Sequence, residues 1–362
     1  MKIKIADRFR PFSHRAGTCA LVPNTDVIAR VYPVLLHLQS LSSGQIWEAK
    51  LALKGPVKGF TVMQDLEKGF LTVFGETGAG FFRYRLFGEK EKLYVSLDRG
   101  LKEGLAYEST ERSGKFLLKK RRELLPCRTH FTPSIPRLSL GNQKKQDIEA
   151  ISKRLDLTEI FPLVYRIGQM IPEMPAESPA APAATSWDLL KSFEKALQGK
   201  DRAAQLFAFH KFYQVAVKDL FVPRLFDEEY RGIVSPPKGN PNLYNLKLLQ
   251  ESARLIENCF FQQSKAKLFF LPSLPAKVHS GRLLQICGED NKFSLDFTWR
   301  SNALRQVIIR ANSNAEFQLA FPSAIRNYRV RLSKRHQGYR KAAGELFSMK
   351  AGTTYFLDNF QK

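Results

Sequence analysis

Apolar and polar side chains alternate along the first 135 residues or so, and again from about residue 265. Successive side chains of a strand point to opposite faces, so a period of two marks a strand with one buried face. In the first stretch, runs rich in Val, Leu, Phe and Tyr predict strands over 31–38, 47–53, 60–64, 69–75, 80–86, 92–97 and 115–119. Turn residues separate them, as at Ser42-Ser43-Gly44 and Gly55-Pro56. Strands at this spacing predict a β-sandwich. Arg83 and Arg85 alternate with Phe82 and Tyr84, which puts both guanidiniums on one face. In the last stretch, Phe293, Leu295, Phe297 and Trp299 are expected to face inward, against Leu304, Val307 and Ile309. Further strands are expected over 304–310, 316–321 and 328–332, with a strand pair around Gly352.

Between these stretches the period lengthens to that of a helix. Ile148, Ile151 and Leu155 fit one helix, and Leu157, Ile160, Phe161, Val164 and Ile167 a second. Four prolines between Ile171 and Thr185 rule out a helix there and predict an extended linker or excursion. After a cap at Ser186 come Leu189, Leu190, Phe193 and Leu197; Asp201 then opens a helix with Leu206, Phe207, Phe209 and Phe212. Asn242 or Asn245 is expected to cap a last helix through Leu248, Leu249, Leu255, Ile256 and Phe260. The expected architecture is α+β and multidomain. It comprises an N-terminal β-sandwich (1–135), a reduced helical middle region (136–264) with a Pro/Ala-rich excursion (171–185), and a small C-terminal β-sandwich (265–362).

Charge narrows the choice of partner. Lys and Arg outnumber Asp and Glu 57 to 34, a net +23. That balance favours polyanions such as nucleic acid or an acidic surface. The basic residues are dense at 115–122 and 326–341, and a polyanion contact is expected through Lys119, Lys120, Arg121 and Arg122. Elsewhere they are spread along the chain, as a general compositional bias would also leave them.

The four cysteines form no CxxC pair and the six histidines no HxH or HExxH, so neither a disulfide framework nor a metal site is expected, and no cofactor. The first residues lack the apolar core of a signal peptide, and no apolar run approaches about 18 residues. A cytoplasmic location without a membrane span is expected, with signal-independent secretion left open.

Candidate chemistry is sparse. Gly75 to Gly80 resembles a phosphate loop, but it lacks the Lys-Ser/Thr pair and precedes a strand, so a hairpin turn is expected. Asp227, Glu228 and Glu229 form an acidic cluster behind Pro223, suited to a loop at a cavity mouth or to a solvated helix start. Asn142, Gln143 and Lys144 could hydrogen-bond a polar ligand such as a sugar, or simply lead into a helix. Asn240 and Asn242, in the rigid loop 235–242, offer paired donors and acceptors.

The order sandwich, helices, small β domain resembles the glycoside hydrolases and phosphorylases with a helical-hairpin barrel, including bacterial inverting alpha-L-fucosidases. The residues that carry the likeness are Leu271-Pro272-Ser273-Leu274-Pro275, Ser280-Gly281, Phe293 to Trp299 and Leu304, together with the helix from Leu248 to Gln263. The resemblance implies that the family's catalytic Asp would stand in the loop Ser235 to Asn242. No carboxylate occurs between Glu229 and Glu251. The middle region is also too short for twelve barrel helices of about ten residues each. The chain therefore reads as a shortened, divergent relative: either a glycoside hydrolase-like protein or a catalytically degenerate glycan binder. The alternative is a basic scaffolding protein for nucleic acid or an acidic surface.

Overall fold

Twelve strands build the N-terminal part of the computed structural model: β1 (Phe12–Ser13), β2 (Thr18–Leu21), β3 (Val27–Val31), β4 (Leu35–Ser40), β5 (Ile46–Leu51), β6 (Lys58–Asp65), β7 (Phe70–Thr77), β8 (Gly80–Glu89), β9 (Lys92–Arg99), β10 (Ala106–Ser109), β11 (Lys115–Leu117) and β12 (Arg122–Pro126). They form two six-stranded sheets, ordered β1-β6-β7-β8-β9-β12 and β11-β10-β5-β4-β3-β2. Inward-facing Phe82, Tyr84 and Leu86 share one core with Leu36, Leu38 and Trp47. The expected single strand over 31–38 is instead two strands. Pro33 has no N–H for a ladder, and the chain turns there, with Tyr32 N donating to Leu35 O at 2.8 Å. The glycine run closes the β7–β8 hairpin, Thr77 opposite Gly80.

The structure describes residues 9–102, 104–109, 114–130, 136–141, 146–173, 185–199, 201–217, 241–275, 277–322, 324–333, 335 and 337–362, and only the backbone of 185, 216 and 241–245. The proline-rich excursion lies almost wholly outside them.

Strand β13 (Arg137–Ser139) leads into five described helices: α1 (Ile148–Arg154), α2 (Leu157–Gln169), α3 (Thr185–Gln198), α4 (Arg202–Phe212) and α5 (Pro241–Phe260). Asp147, Asp156 and Asp201 cap α1, α2 and α4, each accepting from a first-turn backbone N–H. Ser186 is not a cap but lies within α3. Helix α5 begins at Pro241, where the missing N–H costs nothing, so Asn242 sits in its first turn rather than in a loop. A Cβ at Gly168 would lie 2.5 Å from the Cβ of Ala253, which is how α2 and α5 approach so closely. The ring of Phe161 lies 4.5 Å from that of Phe209 and 6.4 Å from those of Phe193 and Phe260, binding four helices into one aromatic cluster.

The C-terminal part holds β14 (Phe261–Ser264), β15 (Lys267–Phe270), β16 (Gly281–Cys287), β17 (Phe293–Arg300), β18 (Ala303–Ala311), β19 (Ala315–Ala320), β20 (Asn327–Arg331), β21 (Tyr339–Ala342), β22 (Leu346–Met349) and β23 (Thr354–Gln361). A seven-stranded sheet, β13-β16-β17-β18-β23-β20-β21, faces a four-stranded one, β14-β15-β19-β22. Edge-to-face pairs cross between them: Phe297 with Phe270, Phe293 with Phe317, Tyr355 with Phe347. Phe293, Leu295, Phe297 and Trp299 are buried as their alternation predicts, and so are Leu304, Val307 and Ile309. The strands either side of Gly352 do not pair with each other. The chain there passes from one sheet to the other, β22 joining β19 and β23 joining β18 and β20.

Helices and C-terminal sheets share one continuous core, which also takes in Leu21, Leu41 and Leu66 from the N-terminal part. The joint is Phe260, at the end of α5, stacked on Trp299 with ring centroids 5.2 Å apart. Buried Arg166 ties the helices to the first sandwich by donating to Leu66 O at 3.1 Å, with Glu67 4.0 Å away.

Candidate functional site

The junction between α5 and the C-terminal sheets is fixed by the prolyl motif. Leu271, at φ 53°, turns the chain back so that its N–H donates to Phe260 O at 2.7 Å. Ser273 Oγ then reaches Leu197 O at 3.0 Å, fastening the end of α3. The motif that carries the family likeness is thus a clasp holding helices to sheets.

One polar pair is shielded inside this helical layer. Tyr165 on α2 donates its hydroxyl to Glu257 Oε2 on α5 at 2.5 Å. Burial pushes the Glu257 carboxyl above its usual range, and the Tyr165 bond draws it back in part. The Tyr165 phenol is pushed up by burial first and by the carboxylate second. A carboxyl that keeps its proton above the ordinary range can serve as a general acid. The neighbouring acids differ: Glu251 and Glu194 are bound by Arg254, at 2.7 and 3.4 Å. Glu257 is absent from the sequence reading because its partner lies 92 residues away and no local spacing announces the pair.

Of the expected site residues, Asp227, Glu228, Glu229, Asn142, Gln143, Lys144 and Asn240 lie outside the described residues, and only the backbone of Asn242 is described. The basic run lies within the described residues. Lys119 and Lys120 are exposed between β11 and β12. Arg121 lies 4.2 Å over the Tyr94 ring and 2.9 Å from Glu89. Arg122 turns the other way, to the Tyr107 hydroxyl at 3.3 Å and over Phe116. Among the described residues no three His, Cys, Asp or Glu side chains gather as a metal would require, and no helix is long and apolar enough to cross a membrane.

No curated protein matches the chain. Residues 262–357 match the family model of the glycoside hydrolase family 95 C-terminal domain. The match runs from β14 into β23 and so takes in nearly all of the C-terminal sheets and the prolyl clasp. It makes this part of the chain similar to glycoside hydrolases and supports a carbohydrate-related, glycoside hydrolase-like protein.

Proposed function

We propose that the protein binds a glycan without cleaving it, as a catalytically degenerate relative of glycoside hydrolases. The observation that carries the reading is a pairing of likeness and loss. The C-terminal segment matches the hydrolase-associated domain, while the loop that the resemblance equates with the family's catalytic Asp has no carboxylate between Glu229 and Glu251. Inverting hydrolysis needs both an acid and a base on opposite sides of the bond, so loss of one abolishes turnover while much of the binding surface can persist. The likeness to fucosidases makes fucosylated glycans the first ligands to try.

A second reading has a specific observation behind it. Glu257 is a described carboxylate whose pKa burial raises, and the protein could be a divergent hydrolase using it or Asp227, Glu228 or Glu229 as acid. Titration calorimetry against a fucosylated and non-fucosylated glycan panel tests binding. Product analysis of the same mixtures tests cleavage, with amide variants of the four carboxylates beside the parent. Binding with no products is the result expected. Products that vanish in one amide variant would establish the hydrolase reading instead.

A further inference from the structure

The outer face of the β1-β6-β7-β8-β9-β12 sheet carries rings where a solvated face would carry polar side chains. Phe70, Phe87 and Tyr94 form a line across three strands, with centroids 5.7 Å apart at each step. Phe74 and Phe81 make a second pair at 6.1 Å. All five are partly exposed. Phe70 and Phe74 are four residues apart on β7, so the two groups lie about 13 Å apart along the strands. Between them stand Arg83 and Arg85. Both lean on one carboxylate oxygen, Asp98 Oδ2, at 3.1 and 2.7 Å. Two cations thus share one anion, leaving a surplus positive charge between two aromatic platforms. Each platform is flanked by guanidinium: Arg85 lies 5.3 Å from the Phe70 centroid and Arg99 5.3 Å from that of Phe81.

We infer that this face is a binding platform for an acidic oligosaccharide, its rings taking sugar faces and its Arg83–Arg85 pair taking a sugar carboxylate. The inference rests on the glycan-binding reading and names the ligand class and the place. The electron-rich face of a ring suits the polarised C–H face of a pyranose. Two adjacent guanidiniums with charge to spare suit a carboxylate. Single-stranded nucleic acid would also use rings and cations, but it needs a basic track along its whole backbone. Of the flanking cations, Lys92 is engaged with Glu123 at 3.1 Å and Arg121 with Glu89 at 2.9 Å, Arg122 faces away, and Arg99 lies over the Phe81 ring at the far end. A central charge between the rings, with Arg99 at one end, fits a ligand with spaced anionic groups better than a continuous polyphosphate.

The test titrates the full chain at low salt with a galacturonic acid tetramer, a neutral galactose tetramer and oligothymidine, using the parent, R83Q/R85Q and F87L. The acidic tetramer should bind more tightly than the neutral one. Its affinity should fall about tenfold or more in R83Q/R85Q, from loss of a charge-assisted contact. F87L keeps the bulk of the side chain, removes the ring and should weaken both sugars. Preference for oligothymidine, equal affinity for the two tetramers, or acidic binding that neither variant weakens would overturn the inference. Sugar binding that ignores both variants would overturn the platform alone and leave the glycan-binding reading intact. No sugar binding here or across the glycan panel would overturn both.

Discussion

Replacing Trp299 by Ala removes a side chain that is 2% exposed and stacked on Phe260, where the helices meet the C-terminal sheets. The ring also lies 5.7 Å from that of Phe297, and the absence of a side chain at Gly281 makes room for it. A Cβ there would meet Trp299 Cζ2 at 2.4 Å and Ser139 O at 2.8 Å, so the cavity is walled by fixed strands and cannot collapse readily. Emptying such a site costs about 3–5 kcal/mol. With a urea slope of about 2–3 kcal/mol per molar, the midpoint should fall by about 1–2.5 M. The first sandwich has its own core, which includes Trp47, whereas Trp299 belongs to the core shared by the helices and C-terminal sheets. Urea unfolding of the variant, followed by far-UV dichroism for the helices and by Trp47 fluorescence in a W187F background, separates the two. The helix signal should move and the Trp47 signal should hold its midpoint or follow at a distance. A shift below about 0.5 M, or equal shifts in both signals, would refute the argument that Trp299 locks one of two cores.

Other predictions rest on separate features. The folded protein holds the Glu257 proton at pH values where the unfolded chain, titrating near 4.5, has lost it, so this group's contribution to stability falls as pH rises from 4.5 through the folded-state value. E257Q, which preserves an acceptor for Tyr165, should therefore gain on the parent over that window, and a constant gap between their urea midpoints would contradict the shift. The Tyr84 hydroxyl is buried with no hydrogen-bond partner among the described residues, so Y84F should stabilise the first sandwich by up to about 1 kcal/mol; a clear loss in melting temperature would show that the hydroxyl has a bonding role. Iodoacetamide should label exposed Cys287 first, while Cys127, its thiol pushed up to about 12 by burial, and buried Cys259 should react only on unfolding; mass mapping that finds Cys127 modified early would count against the packing.

The C-terminal sandwich is legible in the sequence because Phe293 to Trp299 obeys a strict period of two, and the helices because Ile148 to Ile167 keep helical spacing and Asp201 opens α4 as its cap. What local pattern leaves open is pairing. Nothing between Leu346 and Gln361 says that its strands enter different sheets, since that depends on partners tens of residues away. The same holds for function. Alternation places Arg83 and Arg85 on one face, but the carboxylate they share, Asp98, comes from the next strand, and the ring line joins three strands. Tyr165 and Glu257 meet only because Gly168 lets α2 lie close against α5. Nor does the basic run's spacing fix where its charges go: adjacent Arg121 and Arg122 project to opposite sides as β12 begins.

Native mass spectrometry of the full chain after prolonged incubation with a mixed panel of neutral and acidic glycans reads binding and cleavage at once. Adducts of intact glycans and no shortened products are expected. Shortened glycans that accumulate with time, and cease to do so when Asp227, Glu228, Glu229 or Glu257 is changed to its amide, would contradict binding without cleavage.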